Sequence, residues 1–451
     1  MIRAIAFYLP QFHPIAENDE WWGKGFTEWS NVTRARPLFR GHYQPHVPAD
    51  LGYYDLRVPE VREEQARMAR AYGIHAFCYY HYWFSGKRLL ERPFHEVLTS
   101  GRPDFPFMLC WANENWTRRW DGGEHHILME QVHNDDNDRA FIRELIPAFK
   151  DPRYVRVDGR PLFMVYRTEL FPDAKHTVRI WRDECIKAGV GDPHLCRTES
   201  RIPGLDPAVH GFDSAYEFPP HGMPHGSNVE PQDLWPNREG VDPTFDGTLW
   251  QYEVLARGYL HKKKPDYKLF RGLLCSWDNT PRRQSRGTVV LDASPELYRH
   301  WLSRIVAQTR SWHEGDEQLV FINAWNEWAE GCHLEPDKRF GRRWLEATRQ
   351  ALSDPHAVDP LAAEVEAAKQ DLPAARAWIE RAAARLDAQD DALLGAIADL
   401  AGTDTERMAE IARRRDERRR GYQLVRRLYS WLDRWRGTRS DDDMPSLPRP
   451  R

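Results

Sequence analysis

Short apolar runs alternate with stretches of helical spacing along residues 1–354. The runs cover residues 4–9, 74–80, 105–110, 161–165, 194–197, 214–217, 269–275 and 319–324. Helical spacing follows at 59–71, with Pro59 in its first turn and Gly73 at its stop, and at 136–149, preceded by the cap-competent Asn134 and Asp135. Further helices are predicted over 174–188, 248–260, 294–309 and 342–353. Eight βα repeats predict one closed α/β domain, a (β/α)8 TIM barrel over 1–354, in preference to two doubly wound domains. The fifth and sixth repeats carry the weakest pattern, because 201–212 shows little helical period. From about residue 355 the glycines thin out, and Ala, Glu, Asp, Arg and Leu predict a C-terminal α-helical extension over 355–440. The proline-containing residues 441–451 read as a disordered tail.

Charge sharpens that division. The chain has 451 residues with 64 Lys and Arg against 68 Asp and Glu, a net charge of -4 that argues against a globally basic nucleic-acid binder. Residues 413–439 alone carry eleven Arg against Asp416, Glu417 and Asp433, so the remainder is strongly acidic. Within that stretch Leu424, Val425, Leu428, Trp431, Leu432 and Trp435 fall at helical spacing among arginines, a basic amphipathic helix suited either to an anionic membrane surface or to packing on protein. No apolar run approaches the roughly 20 residues of a membrane span, and the first apolar segment is stopped by Pro10, Gln11 and His13, so a cytoplasmic protein, peripheral on the inner membrane if the basic helix binds there, is expected. Cys78, Cys110, Cys185, Cys196, Cys275 and Cys332 form no C-x-x-C pair and read as buried free thiols.

In a barrel the chemistry lies at the carboxyl ends of the strands. There the sequence places Gln11 and His13; Tyr80, His81 and Trp83; Trp111, Asn113, Glu114, Asn115 and Trp116; and Tyr166. The later runs are followed by Glu199, Glu217, then Trp277, Asp278 and Asn279, and finally Trp325, Asn326, Glu327, Trp328 and Glu330. Aromatic faces pack on the C–H faces of sugar rings while carboxylates, amides and imidazoles bond hydroxyls, so an oligo- or polysaccharide site is predicted, with 19 tryptophans in the chain to draw on. Glu327 and Glu330 are the candidate catalytic pair, since glycosidic chemistry uses two carboxyl groups and Trp325 and Trp328 offer a low-dielectric wall.

Six segments carry a resemblance: F-Y-L-P-Q-F-H-P (7–14), G-F-T-E-W (25–29), G-I-H-A-F-C-Y-Y-H-Y-W (73–83), W-A-N-E-N-W (111–116), W-D-N-T-P-R-R (277–283) and W-N-E-W-A-E-G (325–331). Together they resemble WbsX-type proteins, whose barrel is similar to that of family 99 glycoside hydrolases, retaining endo-α-mannosidases with two glutamates in an N-E-W-x-E-G motif. The resemblance implies that Glu327 deprotonates the sugar 2-hydroxyl to form a 1,2-anhydro intermediate and that Glu330 is the acid/base at the leaving group. It also implies a place in surface polysaccharide or O-antigen synthesis, and leaves open hydrolysis against transfer.

Three readings stay open: a transferase, a glycan hydrolase, endo-α-mannosidase-like as the resemblance implies, and a sugar-binding protein without turnover. No G-x-G-x-x-G follows a strand, so a nucleotide-binding sheet is not expected. Arg282, Arg283 and Arg286 follow the seventh run, near where barrels often hold phosphate, and form either a site for an anionic sugar or lipid-linked diphosphate or a solvated loop. Histidines such as His125, His126 and His133 show no H-E-x-x-H or other ligand spacing, so neither metal nor cofactor is predicted. His13, His81 and His221 read as hydroxyl partners or packed imidazoles.

Overall fold

The chain divides into two units, Met1–Pro355 and His356–Arg451. A computed structural model describes residues 2–118, 123–222, 228–229, 234, 238 and 240–353. The expected helical extension over 355–440 and the tail 441–451 lie outside the described residues.

Eight strands form the barrel: β1 (Arg3–Tyr8), β2 (Ile74–Phe84), β3 (Phe107–Trp111), β4 (Arg160–Val165), β5 (His194–Thr198), β6 (Ser214–Tyr216), β7 (Leu269–Leu274) and β8 (Leu319–Asn323). Each pairs in parallel with its sequence neighbour, and β8 pairs with β1, which closes the ring. Both faces of these strands are covered, so they read as near-continuous apolar runs in the sequence. Phe7, Tyr216 and Phe321 fill the interior, with Phe7 and Tyr216 stacked at 5.4 Å and Tyr216 and Phe321 tilted against each other at 4.7 Å. All six cysteines are buried and unpaired, as their apolar surroundings predict.

The helices are α1 (Ala16–Trp22), α2 (Glu28–Arg34), α3 (Pro59–Ala71), α4 (Arg92–Ser100), α5 (Asp135–Lys150), α6 (Ala174–Lys187), α7 (Tyr252–Leu260), α8 (Pro295–Trp312) and α9 (Arg343–Ser353). Their starts follow local chemistry: Asn134, Asp173 and Ser294 accept the N–H of Asn137, His176 and Leu297, while Pro59 and Pro295 occupy first-turn positions. Between β5 and β6 only a short 3-10 turn, Pro207–His210, takes the place of a helix, in line with the weak pattern there. One predicted helix is corrected. Residues 248–260 split into a strand, Thr248–Gln251, and α7, because Leu249 is buried where that strand pairs with Thr288–Leu291. The latter also pairs with Trp277–Asp278, and this small side sheet carries the 279–287 loop.

Candidate active site

The loop after β8 folds back as a short hairpin in which Asn326–Glu327 pairs antiparallel with Cys332–His333. Between them Trp328–Glu330 makes one 3-10 turn, closed by Gly331 at φ 57°. A Cβ at Gly331 would stand 2.9 Å from the Cβ of Asp278, so glycine is required both by the left-handed backbone and by the close approach of the side sheet. Across from the hairpin, Arg282 sits in the helical turn Thr280–Arg283. Asn279 builds that turn: its carbonyl accepts the N–H of Arg282 and Arg283, and its side chain accepts the N–H of Thr288 at 2.7 Å.

One guanidinium then serves three carboxylates. Arg282 donates from Nη2 to Glu327 Oε2 at 2.8 Å and from Nη1 to Glu330 Oε1 at 2.6 Å. It also grips Glu28, from Nε to Oε1 and from Nη2 to Oε2, both at 3.0 Å. Glu28 opens α2 and is completely buried, with Asn31 Nδ2 donating to its Oε1 at 2.8 Å. With all groups ionised the cluster carries two uncompensated negative charges in a water-poor site. Burial, opposed by Arg282 and assisted by Glu330 and Glu28, raises Glu327 to about 8, and burial likewise raises Glu330. The pair therefore holds a proton at neutral pH, the condition for general acid work. Glu330 is the more accessible of the two, with side-chain exposure of 20% against 5% for Glu327.

Beneath the pair lies a buried carboxylate held by neutral donors. Glu335 accepts from Tyr54 Oη at 2.8 Å, Gln65 Nε2 at 2.6 Å and Trp328 Nε1 at 2.6 Å. Burial lifts it to about 7. Asn326, fully buried, clasps the backbone of Leu9 through both side-chain atoms (2.7 and 3.0 Å) and donates to Tyr54 Oη at 3.3 Å. Asn326 and Trp328, the two neighbours of Glu327, are thus tied to one network, which fixes the backbone that presents Glu327.

The wall of the site is richer in tyrosine than the sequence reading implies. Burial raises the Tyr80 and Tyr82 hydroxyls, and both feel the charge of Glu327. Tyr166 feels Glu114 and Glu330, and its hydroxyl faces His221 Nε2 at 3.4 Å. His221 stacks on Phe218 and meets Trp277 edge-on at 6.2 Å. Alternation along β2 sends His81 and Trp83 the other way, toward Phe141 of α5. Trp111 stacks on the same Phe141 at 3.9 Å, and Trp325 packs on Phe77 at 5.1 Å. Trp328 stacks on His333 at 3.7 Å. Trp83, Trp111, Trp325 and Trp328 are packing residues, and Trp116 lies among Trp21, Tyr82 and Phe84.

Several predicted polar contacts are likewise occupied by the protein. Asn113 clasps the backbone of Arg167 with two 2.8 Å bonds, and Arg167 pairs with Glu114. Asn115 accepts the N–H of Gln131, and Glu217 forms a fully buried pair with Arg271 at 2.8 Å. Asp278 accepts from His42, Gln44 and both the N–H and hydroxyl of Thr280. Gln11 and His13 are buried, burial pushing His13 down to about 4, and Arg283 is half-buried beside Arg282. Arg282, read in the sequence as a contact for an anionic sugar or diphosphate, turns to the protein's own glutamates.

Glu28 and Glu335 are absent from the sequence prediction, although Glu28 stands inside the G-F-T-E-W segment. So are Trp21, Trp22 and Phe26, which with Ser30, Asn31 and Arg34 line an open cleft of about 400 Å³ next to α2. Asn31 is the link between this cleft and Glu28.

Residues 4–348 match the family model described as "Glycosyltransferase WbsX". The chain belongs to the WbsX glycosyltransferase family. That is a carbohydrate-active class, in keeping with the carboxylates and aromatic rings at the barrel mouth. Two proteins called "Uncharacterized protein WxcX", from two strains of Xanthomonas campestris pv. campestris, are 49% identical to this WbsX-family chain over 349 residues, covering 77% of it and 49% of each relative. The chain therefore spans about half the length of the curated relatives it matches. Among solved structures, a GH99 endo-alpha-mannosidase from Bacteroides thetaiotaomicron is similar with a TM-score of 0.48 at 13% identity, covering 78% of this chain and 96% of that one. The same enzyme with bis-tris-propane gives 0.48 at 14% identity, covering 79% and 98%.

Proposed function

We propose that the barrel makes or breaks glycosidic bonds in an oligo- or polysaccharide, with Glu327 and Glu330 as the reacting carboxyl groups. The observation that carries this reading is the single guanidinium of Arg282 bonded to both carboxylates, in a site where burial keeps a proton on the pair. For this the proton that burial keeps on Glu327 in the empty site passes to Glu330 as substrate binds; Glu330, the more accessible, gives it to the glycosidic oxygen and later recovers one from the incoming hydroxyl. Glu327 takes the proton of the sugar 2-hydroxyl, whose oxygen closes on the anomeric carbon as the leaving group departs. The 1,2-anhydro sugar so formed is opened at the anomeric carbon by an acceptor hydroxyl, its O2 takes the proton back from Glu327, and the configuration is retained. This route, implied by the resemblance to family 99 enzymes, differs from the usual carboxylate nucleophile.

The acceptor we infer is another sugar, in assembly or processing of a surface polysaccharide such as O-antigen, rather than water. Family membership supports transfer. The cleft bounded by Trp21 and Trp22 has room for a sugar and is joined to Glu28 through Asn31. The proposed setting is the cytoplasmic side of the inner membrane, on a lipid-linked glycan. Among the described residues no helix is long and apolar enough to cross a membrane.

The test is incubation of the full chain with labelled surface-polysaccharide fragments and a sugar acceptor, alongside Glu327→Gln and Glu330→Gln. Elongated or shortened glycans that vanish in both variants support the reading, and longer products distinguish transfer from hydrolysis. Unchanged turnover in either variant would remove that residue from the chemistry. Glycan binding with no turnover in the wild type would favour a sugar-binding protein.

A further inference from the structure

We propose that His46, His333 and Asp337 form a binding site for one divalent transition-metal ion of the zinc type. His333 belongs to the strand that closes the Glu327 hairpin, and Asp337 lies in the following turn, which bridges to Pro48 and Gly341. His46 comes from the segment between α2 and α3. All three are buried, and one ligand-type atom from each lies within 4.8 Å of the other two. His46 Nδ1 is 2.8 Å from His333 Nε2, which is 3.9 Å from Asp337 Oδ2.

The polar partners leave this cluster aimed inward. His333 Nδ1 stands 2.9 Å from the backbone carbonyl of Glu335, which can only accept. The proton of the neutral ring therefore sits on Nδ1, and the lone pair of Nε2 points into the cluster. A backbone carbonyl on the far nitrogen is one of the partners, with carboxylates and water, that orient metal-binding histidines. Asp337 Oδ1 accepts the N–H of Phe340 at 2.6 Å, whereas Oδ2 is buried with no hydrogen-bond partner. The Tyr43 ring stacks against His46 at 4.4 Å.

Two imidazoles and one carboxylate are a donor set that zinc accepts, with a fourth position for water. In the metal-bound form His46 carries its one proton on Nε2, so that Nδ1 also faces the ion. The ligands come from segments 287 residues apart, which is why no spacing motif announces them. Because His333 stacks on Trp328, the ion would lock the hairpin carrying Glu327 to the 42–46 segment: a structural role, independent of the proposed glycosidic reaction.

The experiment uses the full chain, stripped with a chelator and titrated with Zn²⁺ by calorimetry, with Co²⁺ absorption as a probe of ligand type. We expect one ion bound through nitrogen and oxygen, a higher melting temperature with Zn²⁺, and a loss of affinity in His46→Gln and Asp337→Asn greater than the roughly 10–100-fold of an outer-shell change. Absence of uptake by the wild type overturns the proposal and leaves a His46–His333 hydrogen bond. Uptake unaltered in both variants overturns it too. Should a variant fail to fold, X-ray absorption of the zinc-loaded wild type decides: two imidazoles in the first coordination sphere support the site, and sulfur ligands or fewer imidazoles refute it.

Discussion

Glu28 holds Arg282 by two parallel 3.0 Å bonds, and so determines which way the guanidinium presents its remaining donors to Glu327 and Glu330. Glu28 is a positioning residue whose negative charge also raises both carboxyl groups. Glu28→Gln keeps the shape but removes the charge and weakens the two-point grip. Arg282 is then freer to neutralise the pair, and both effects lower its pKa values. We predict a fall in kcat of about a hundredfold with little change in KM, together with a pH–rate profile displaced to lower pH. A profile that stays in place while kcat falls would leave Glu28 with a purely structural role.

Stability should pass through a maximum between about pH 6 and 7. On the acid side, His13, His75 and His194 at about 4, and His46 and His81 at about 3, are neutral when folded. Each takes up a proton in the unfolded chain as pH falls below its ordinary 6.5, so stability drops with falling pH. Glu327, at about 8, and Glu335, at about 7, act in the opposite sense. Their stabilising contribution is complete below the ordinary carboxylate value and is lost as pH rises through the folded one. Five imidazoles outweigh two carboxyls below 6.5, and above it only the carboxyls remain. Thermal melts from pH 4 to 9 should show this dome, and Glu327→Gln should flatten the decline between 7 and 8. An identical alkaline decline in that variant would mean that Glu327 is not its source.

Among the described residues Glu335 forms no ion pair; the neutral side chains of Tyr54, Gln65 and Trp328 donate to it, and each of these loses its acceptor if the carboxylate is removed. An unsatisfied buried donor costs about 1–3 kcal/mol, so Glu335→Ala should destabilise the barrel by at least about 3 kcal/mol. Denaturant unfolding measures this. A loss below about 1 kcal/mol would show that water replaces the carboxylate and that the network is not needed to hold Asn326 and Trp328.

Chain pattern alone reveals the barrel because each strand is covered on both faces and stands out as an apolar run between turn residues. It fails at 248–251, where an aromatic and apolar stretch continues directly into α7 and pairs with Thr288–Leu291, a β-branched run that lies outside the eight repeats. In the site, Glu327 and Glu330 are legible because they follow a strand together, three residues apart. Glu28 and Glu335 are not, since their meaning comes from partners 254 and 270 positions away. The tryptophans mislead for a geometric reason. A strand end offers one side chain inward and the next outward, and composition cannot tell Tyr80 from His81.

That distinction leads to opposite expectations for two tryptophans. Trp111 is buried between the barrel and α5, stacked on Phe141 and near Trp181. Its replacement by Ala removes a large packed ring, which costs about 3–5 kcal/mol, and a chain that still folds should keep its KM for glycan. Trp22 is half-exposed on the 400 Å³ cleft, so Trp22→Ala leaves little cavity behind. If the cleft holds a sugar, loss of the stacking face should raise KM about tenfold, equivalent to about 1.4 kcal/mol, with melting temperature nearly unchanged. Measuring both quantities for both variants tests the assignment directly. A KM unmoved by Trp22→Ala would take the cleft out of substrate binding and return attention to the tyrosine-lined mouth around Glu330.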